Sequence, residues 1–289
     1  MFKEKDHIMS NGISYPVKRK IGRTVLYLIL TLGALSMILP FLWMFSGAVK
    51  LNRDLYIFPI QWLPNPVQWN NFNRVLEKIP FFTYFLNTLK LAVIITFLQV
   101  CTCSLAAYSF SKINFPGRDK IFLLYLSTMM IPFQVTMIPQ FIMMSKAGLA
   151  NTHLSLILIN AFSTFGVFLL RQFFLSIPEE LSESARIDGC REIVILIRII
   201  LPLARAAIAA LIIFTFVGTW NDYLAPLIYI SSEHLRTIQI GIRFFQQAQD
   251  TEHALVLAAT VMGLAPVLIL YFTCQKQFVE GIATLGLKG

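Results

Sequence analysis

Charge is what this sequence has least of. Lys, Arg, Asp and Glu supply 13% of its 289 residues, about half the roughly 25% of an average soluble domain. Its 15 acidic residues are outnumbered by 25 Phe, so a polar shell around a water-facing core cannot be assembled and a soluble globule is excluded. No G-x-x-x-x-G-K-[ST] loop is present to cradle a nucleotide phosphate, and neither H-E-x-x-H nor G-x-S-x-G occurs. The four His (His7, His153, His234, His253) fall outside the centres of the long apolar runs. Those centres hold no Asp, Glu, Lys or Arg at all. A charge at mid-bilayer costs about 2.5–3.5 kcal/mol on insertion scales, and ion-coupled carriers place theirs there conspicuously. An intramembrane hydrolase fails for want of any nucleophile–base or metal constellation.

What is present is apolar. Residues of the AVILMFWYC set make up 56% of the chain and mean hydropathy is +0.68. Six runs reach the roughly 20 residues that an apolar helix needs to cross a bilayer core. They cover about 24–47 with Pro40 inside, 91–110 with a start near 85, 120–146 with Pro132 and Pro139, 154–170, 203–230 with Asp222 and Pro226 near its end, and 254–275 with Pro266. None shows the alternation of a membrane barrel. The expected fold class is an all-α integral membrane protein of six transmembrane helices.

The basic cluster Lys18, Arg19, Lys20 and Arg23 ahead of the first run resembles the start of a signal peptide, but the run is too long and lacks a small-x-small cleavage site. Six spans put both termini on one side. With the termini inside, sixteen of the 24 Lys and Arg fall in inner segments and eight in outer ones, so both termini are expected in the cytoplasm. The net charge of +9 then faces lipid headgroups rather than nucleic acid. Cys101, Cys103 and Cys274 lie within spans and Cys190 in an inner loop. The C-x-C of span two has no His or carboxylate beside it and reads as small residues for helix packing.

One inner loop, 176–202, is rich in charge of both signs. Ser176 with Glu179 reads as a capping box, and Pro178 suits a first turn. Leu181, Ser184, Ala185 and Asp188 share one face of the short helix that follows, and Gly189 is placed to end it in a left-handed conformation. A second helix starts near Arg191 and runs to Pro202. Arg191, Arg198 and Arg205, seven apart, form a stripe suited to headgroups. On the residues alone, this loop reads first as a solvated amphipathic segment on the membrane surface.

The spacing Glu183-Ser184-Ala185-Arg186-Ile187-Asp188-Gly189, nine residues, then Ile199-Ile200-Leu201-Pro202 resembles the E-A-A-x-x-x-G-x(9)-I-x-L-P loop of ABC importer permeases, with Ser184 in place of the first Ala. The Ala-Arg-Ile-Asp-Gly wording, Leu105-Ala-Ala-Tyr-Ser-Phe110, Phe115-Pro-Gly-Arg118, Met130-Ile-Pro132, Ile138-Pro139, Trp220-Asn-Asp-Tyr223 and the terminal Gly286-Leu-Lys-Gly289 are similar to the carbohydrate branch, specifically the maltose-permease-type second subunit. The likeness runs from about Arg23 onward. It implies a type I permease fold, with residues 1–23 a cytoplasmic segment, 24–289 the transmembrane domain, 176–202 the cytoplasmic coupling loop, and 48–83 and 231–253 outer loops.

It also implies partners: a homologous permease subunit, a dimeric cytoplasmic ATPase that carries ATP and Mg, an extracellular or periplasmic solute-binding protein, and a sugar as cargo, in a bacterial cytoplasmic membrane. No cofactor is implied for this chain. By the resemblance, Glu183, Ser184, Ala185, Arg186, Asp188, Gly189, Leu201 and Pro202 face or shape the ATPase contact, and Lys288 and Gly289 reach it from the tail. Closing the ATPase halves would drag the paired loops together and swing the spans. A glycerol-phosphate or polyol importer is the variant within the family. An ion-coupled carrier or channel is the rival outside it, and it predicts repeats and midplane charges that are absent here.

Trp220, Asn221, Asp222 and Tyr223 fall near the outer interface. They read either as an aromatic belt with Asp222 capping or solvated, or as a gate or sugar-facing cluster. Gln134 and Asn160, like Gln99 and Gln140, are candidates either to line a wet path or to bond a neighbouring helix. Gln246, Gln247 and Gln249 lie in a loop resembling the one that probes the binding protein in this family, or in an ordered surface loop.

Overall fold

The computed structural model describes residues 15–246 and 251–286. These residues are helical, with three short 3-10 turns at Asn52–Tyr56, Thr128–Met130 and Glu233–Leu235 and no strand among them. Three helical stretches are long and apolar enough to cross a membrane unaided: Gly22–Ala48, Phe81–Lys112 and His253–Lys276. Three further pairs pass as bent spans, Arg118–Met130 with Phe133–Lys146, His153–Ile159 with Thr164–Leu175, and Glu192–Leu203 with Arg205–Trp220. Counting each bent pair as one span gives six among the described residues, the number the composition predicts, and half of them are broken helices.

From Thr24 onward helix α1 (Tyr15–Ala48) carries no charged side chain, and none of its most apolar stretch is covered by the rest of the described residues. A helix with no polar face belongs in lipid or against another apolar surface. Its last turn meets the sixth span, where the bare Gly47 backbone lies against Leu257. The orphan carbonyls of Ala48 and Lys50 accept from the buried Asn71 amide at 3.0 and 2.8 Å, which anchors α2 (Asn70–Lys78) to the end of α1. Helix α3 (Phe81–Lys112), 32 residues without a break, is the central rod.

Gly117, at φ +79°, turns the chain into α4 (Arg118–Ser127). The third span then bends by 97° between Met130 and Phe133 before α5 (Phe133–Lys146). The sequence places two prolines in this span, Pro132 and Pro139, each able to interrupt a helix. Pro132 does so, because proline forces the preceding Ile131 out of the helical region (ψ 109°). Pro139 is carried inside α5. The fourth span divides into α6 (His153–Ile159) and α7 (Thr164–Leu175), each started by a hydroxyl cap, Thr152 on Ser155 and Ser163 on Gly166.

The inner loop forms α8 (Glu180–Ile187), α9 (Glu192–Ile195), a π turn at Leu196–Ile200 and α10 (Leu201–Leu203). Helix α11 (Arg205–Trp220) leaves α10 at 84°, so the Arg stripe expected over 191, 198 and 205 is split. Arg191 and Arg198 are exposed on one arm and Arg205 opens the other. The fifth span, read as continuous to 230, stops at Trp220 and resumes as α12 (Leu224–Tyr229). Helix α13 (Ile238–Phe244) crosses the outer side, and α14 (His253–Gly263) with α15 (Ala265–Gly286) completes the sixth span.

Packing follows small residues. An inner core gathers Cys103, Ala107, Val167, Leu170, Phe174, Ile195, Ile200, Ala204, Ala207 and Leu211. An outer core gathers Val75, Tyr84, Ala92, Phe216, Trp220, Ile238, Leu255, Ala258 and Ala259. Between apolar helices in lipid, close backbone approach rather than hydrophobicity supplies the attraction. Gly166 illustrates this, since a Cβ there would stand 2.8 Å from Cys103 Sγ and 2.9 Å from Leu211 Cδ1.

Candidate functional site

The charged inner loop is built against the cytoplasmic end of α3. Ser176 was expected to cap α8 with Glu179; instead its hydroxyl donates back to the Phe173 carbonyl at 2.7 Å, closing α7. The cause is distance along the chain: α8 begins only at Glu180, four residues on, so the serine belongs to the preceding helix end. Glu179 is then free for another task. Its carboxylate accepts from Arg186 Nη1 at 3.1 Å and from Lys112 Nζ at 3.1 Å. Arg186 also donates through Nε to Glu192 Oε1 at 2.8 Å, and through Nη2 to Glu192 Oε2 at 3.3 Å and to the Lys112 carbonyl at 3.1 Å. Lys112, almost wholly buried, donates to the Ile177 carbonyl at 2.7 Å. The Tyr108 hydroxyl closes the ring on Glu192.

Five side chains from α3, α8 and the start of α9 thus form one closed brace. Two cations and two carboxylates balance, as partly buried charge requires. The hydrogen bonds to Glu192, then those to Glu179, push the Arg186 guanidinium above its already high ordinary value, so it stays cationic at any workable pH.

With Arg186 and Ala185 turned inward, α8 shows its other face outward. Ser182 and Ala185 are buried, whereas Glu183, Ser184 and Asp188 are exposed and Ile187 is 86% exposed. The face expected to hold Leu181, Ser184, Ala185 and Asp188 together is therefore divided, because Ala185 packs into the inner core. Among the described residues Glu183 forms no ion pair. Gly189 ends the segment at φ +81° with open space around its Cα, as expected from sequence. Leu201 is half-buried and Pro202 exposed at the far end. Pro202 has no N–H for the Arg198 carbonyl, and the extra residue of the π turn just before it makes room for its ring.

The within-span candidates separate clearly. Asn160 lies in the break of the fourth span, where its carbonyl accepts from Gln99 Nε2 at 2.8 Å. The next carbonyls are met from α3 as well, Ala161 by Thr102 Oγ1 at 2.8 Å and Ser163 by Cys103 Sγ at 3.4 Å. Gln99 Oε1 in turn accepts from Thr215 at 2.9 Å. Backbone freed inside a membrane must find such partners, so Gln99, Thr102 and Cys103 act as a ladder that seals the break, and no group of three metal-ligating residues exists among the described residues. Gln134 is exposed on α5.

At the outer end, Trp220 is buried and packs on Phe216 and Phe85. Asp222 Oδ1 accepts from the Ala225 N–H at 3.2 Å and caps α12. Asn221 is exposed and meets Gln239 at 3.3 Å. Tyr223 faces a pocket of about 370 Å³ with Lys78, Tyr84, Glu233, Arg236 and Arg243. Gln246 accepts from Arg243. Gln247, Gln249, Lys288 and Gly289 lie outside the described residues.

Sequence reasoning missed Tyr108, Lys112 and Glu192 in the brace and Arg236 and Arg243 at the pocket. The seven-residue interval from Glu179 to Arg186, two turns of helix with opposite charges aligned, was the available signal for the brace.

Against known proteins, residues 99–279 match the family described as binding-protein-dependent transport system inner membrane component. The chain is 31% identical to the lactose transport system permease protein LacG of Rhizobium radiobacter, over 92% of this chain and 97% of that one. It is 31% identical to the arabinooligosaccharides transport system permease protein AraQ of Halalkalibacterium halodurans, over 94% and 100%. Among solved structures it matches, with a TM-score of 0.76 and 26% identity over 93% of this chain and all of the other, a chain of a bacterial ABC transporter involved in the import of the acidic polysaccharide alginate. The overall fold agrees with that structure, and the chain belongs to the family of binding-protein-dependent ABC importer permeases, multi-pass proteins of the inner membrane.

Proposed function

We propose that this chain is one of two membrane subunits of an ATP-driven carbohydrate importer, working with a homologous permease, a cytoplasmic ATPase dimer that carries ATP and Mg, and an external solute-binding protein. The relatives named for lactose and for arabinooligosaccharides, and the structural neighbour named for alginate, support a saccharide as cargo. This chain supplies no reacting group. Its contribution is a path and a lever.

The observation that carries the reading is the outward face of α8. It sets an unpaired carboxylate, Glu183, beside an exposed Ile187 on a helix braced from behind by Arg186. A carboxylate beside a large exposed apolar side chain suits a pocket with a basic group at its base, and Ala185 and Ser182 keep the helix close against its own chain. Glu183 is the contact residue, Arg186 and Lys112 are positioning residues, and Gly189 sets the turn. Tagged protein purified from native membranes in mild detergent is expected to bring an ATPase and a second permease with it. Glu183→Lys should release the ATPase and keep the permease. A chain that purifies alone, with the variant behaving identically, would sink the proposal and favour a self-contained channel.

A further inference from the structure

We propose that the outer pocket beside Tyr84 and Tyr223 binds an anionic group (a carboxylate, phosphate or sulfate), borne either by the cargo or by a lipid headgroup. The inference rests on the importer reading for the cargo source and on the geometry alone for the chemistry. Helix α13 crosses directly over the Tyr84 ring because position 241 is glycine; a Cβ there would stand 2.6 Å from Tyr84 Cδ2. The turn that carries Arg236 is pinned to α3 by Asn87, whose amide donates to the His234 and Arg236 carbonyls at 2.8 and 3.0 Å. Arg236 is thereby held in the same lining as the Tyr84 phenol.

The lining is unbalanced in charge. Lys78, Arg236 and Arg243 face a single carboxylate, Glu233, across about 370 Å³. Glu233 accepts from the Tyr84 hydroxyl at 3.5 Å, and Glu252, the partner of Lys78, is shared with Arg74 and stands outside the lining. Among the described residues neither Arg236 nor Arg243 forms an ion pair, and Arg243 donates to a neutral amide. A concave site with an excess of one sign of charge concentrates counter-ions, and guanidinium forks match carboxylate and phosphate oxygens in pairs. Tyr223, Phe244 and Ile240 supply flat or apolar walls, and the volume lies at the low end of small-ligand sites. It suits one sugar ring with a charged substituent, or one headgroup.

The test uses the complex purified from native membranes, placed in nanodiscs of neutral phosphatidylcholine without any binding protein. Calorimetric titration with glucuronate, inorganic phosphate and glucose should show both anions binding and glucose binding at least tenfold more weakly. Arg236→Gln and Arg243→Gln should each weaken anion binding about tenfold at unchanged thermal unfolding. Glu233→Gln should strengthen it several-fold, a gain that misfolding cannot mimic. Nanodiscs containing phosphatidylglycerol separate the sources: glucuronate binding that survives there assigns the site to cargo, and binding that is lost assigns it to the headgroup. Equal binding of glucose and glucuronate, or anion binding untouched in both Arg variants, overturns the proposal. Co-purification of the ATPase is read in the same preparation, so its presence without anion binding refutes this inference and leaves the importer reading standing.

Discussion

Replacing Arg186 by Ala should loosen α8 without disturbing the spans. The guanidinium makes two ion pairs, to Glu179 and Glu192, and one bond to the Lys112 carbonyl. Its side chain is 32% exposed, and the carboxylates are 43% and 44% exposed, so each pair is credited with the ~0.5–1 kcal/mol of a solvent-screened contact. The carbonyl bond adds about 1 kcal/mol. The loss is therefore about 2–3 kcal/mol, roughly a 30- to 150-fold rise in local opening at 1.4 kcal/mol per decade. Hydrogen–deuterium exchange in nanodiscs reads that ratio directly for amides 180–188, while those of α7 and the middle of α3 should stay protected. Arg186→Lys, which keeps the charge and loses the fork, should fall between. Glu183→Gln should leave exchange unchanged and impair ATPase association, because it touches the contact and not the brace. Unaltered exchange over 180–188 in Arg186→Ala, or an equal rise across the inner core, would refute the brace as the element that holds α8.

Three further substitutions probe the packing beneath. Gly189→Ala meets no neighbour within 4 Å but must hold φ near +81°, so it should cost about 1–2 kcal/mol locally and lower the recovered ATPase fraction, with Gly189→Asn milder. Gly166→Ala, pressed against Cys103 Sγ and Leu211 Cδ1, should destabilise by about 1–3 kcal/mol in detergent unfolding; Cys103→Ala in the same chain should recover part of this, and strictly additive losses would contradict the contact. Gln99→Leu removes partners of the Asn160 carbonyl and Thr215. At about 0.6 kcal/mol per bond in a membrane it should lower stability by about 1 kcal/mol and raise exchange at 160–163, with no effect if the ladder is idle.

Span number and inner-loop punctuation were legible because they depend on local chemistry. Apolar length, the proline at 132 and the glycine at 189 act on the residues beside them, and the structure follows each. The break in the fourth span was not legible. Ser163 is the one local mark of a restart, too weak to break an apolar run alone, and the backbone there is released because Gln99, Thr102 and Cys103, about 60 residues earlier, satisfy it. The same long reach hid Lys112. In the sequence it is one more basic residue at the inner end of a span, and only packing shows it 3% exposed against Glu179. Asp222, read from the sequence either as a cap or as part of a gate, caps α12 in the structure.

The brace and the outer pocket lie at opposite ends of one helix, and this has a mechanical consequence. Helix α3, at 32 residues, extends roughly 48 Å at 1.5 Å per residue. It has no internal proline or glycine at which to bend. Its inner end is fastened to α8 and α9 through Tyr108 and Lys112. Its outer end is fastened to the 233–238 turn through Tyr84, Asn87 and Thr88, the last accepting from the Ile238 N–H at 2.9 Å. The third, fourth and fifth spans each contain a bend that can absorb a push; α3 does not. A displacement of α8 should therefore be carried as a rigid-body tilt of α3 to the residues around Tyr84, since packed helices respond to such tilts by switching between arrangements rather than deforming smoothly. A glycine pair placed at Phe97 and Leu98, near the middle of α3, should uncouple the two ends. Each glycine costs about 1 kcal/mol of helix stability, so the protein remains folded. Exchange at 233–241 should then stop responding to ATPase binding at α8, while exchange at 180–188 still responds. A response preserved at both ends would show that the signal takes another route.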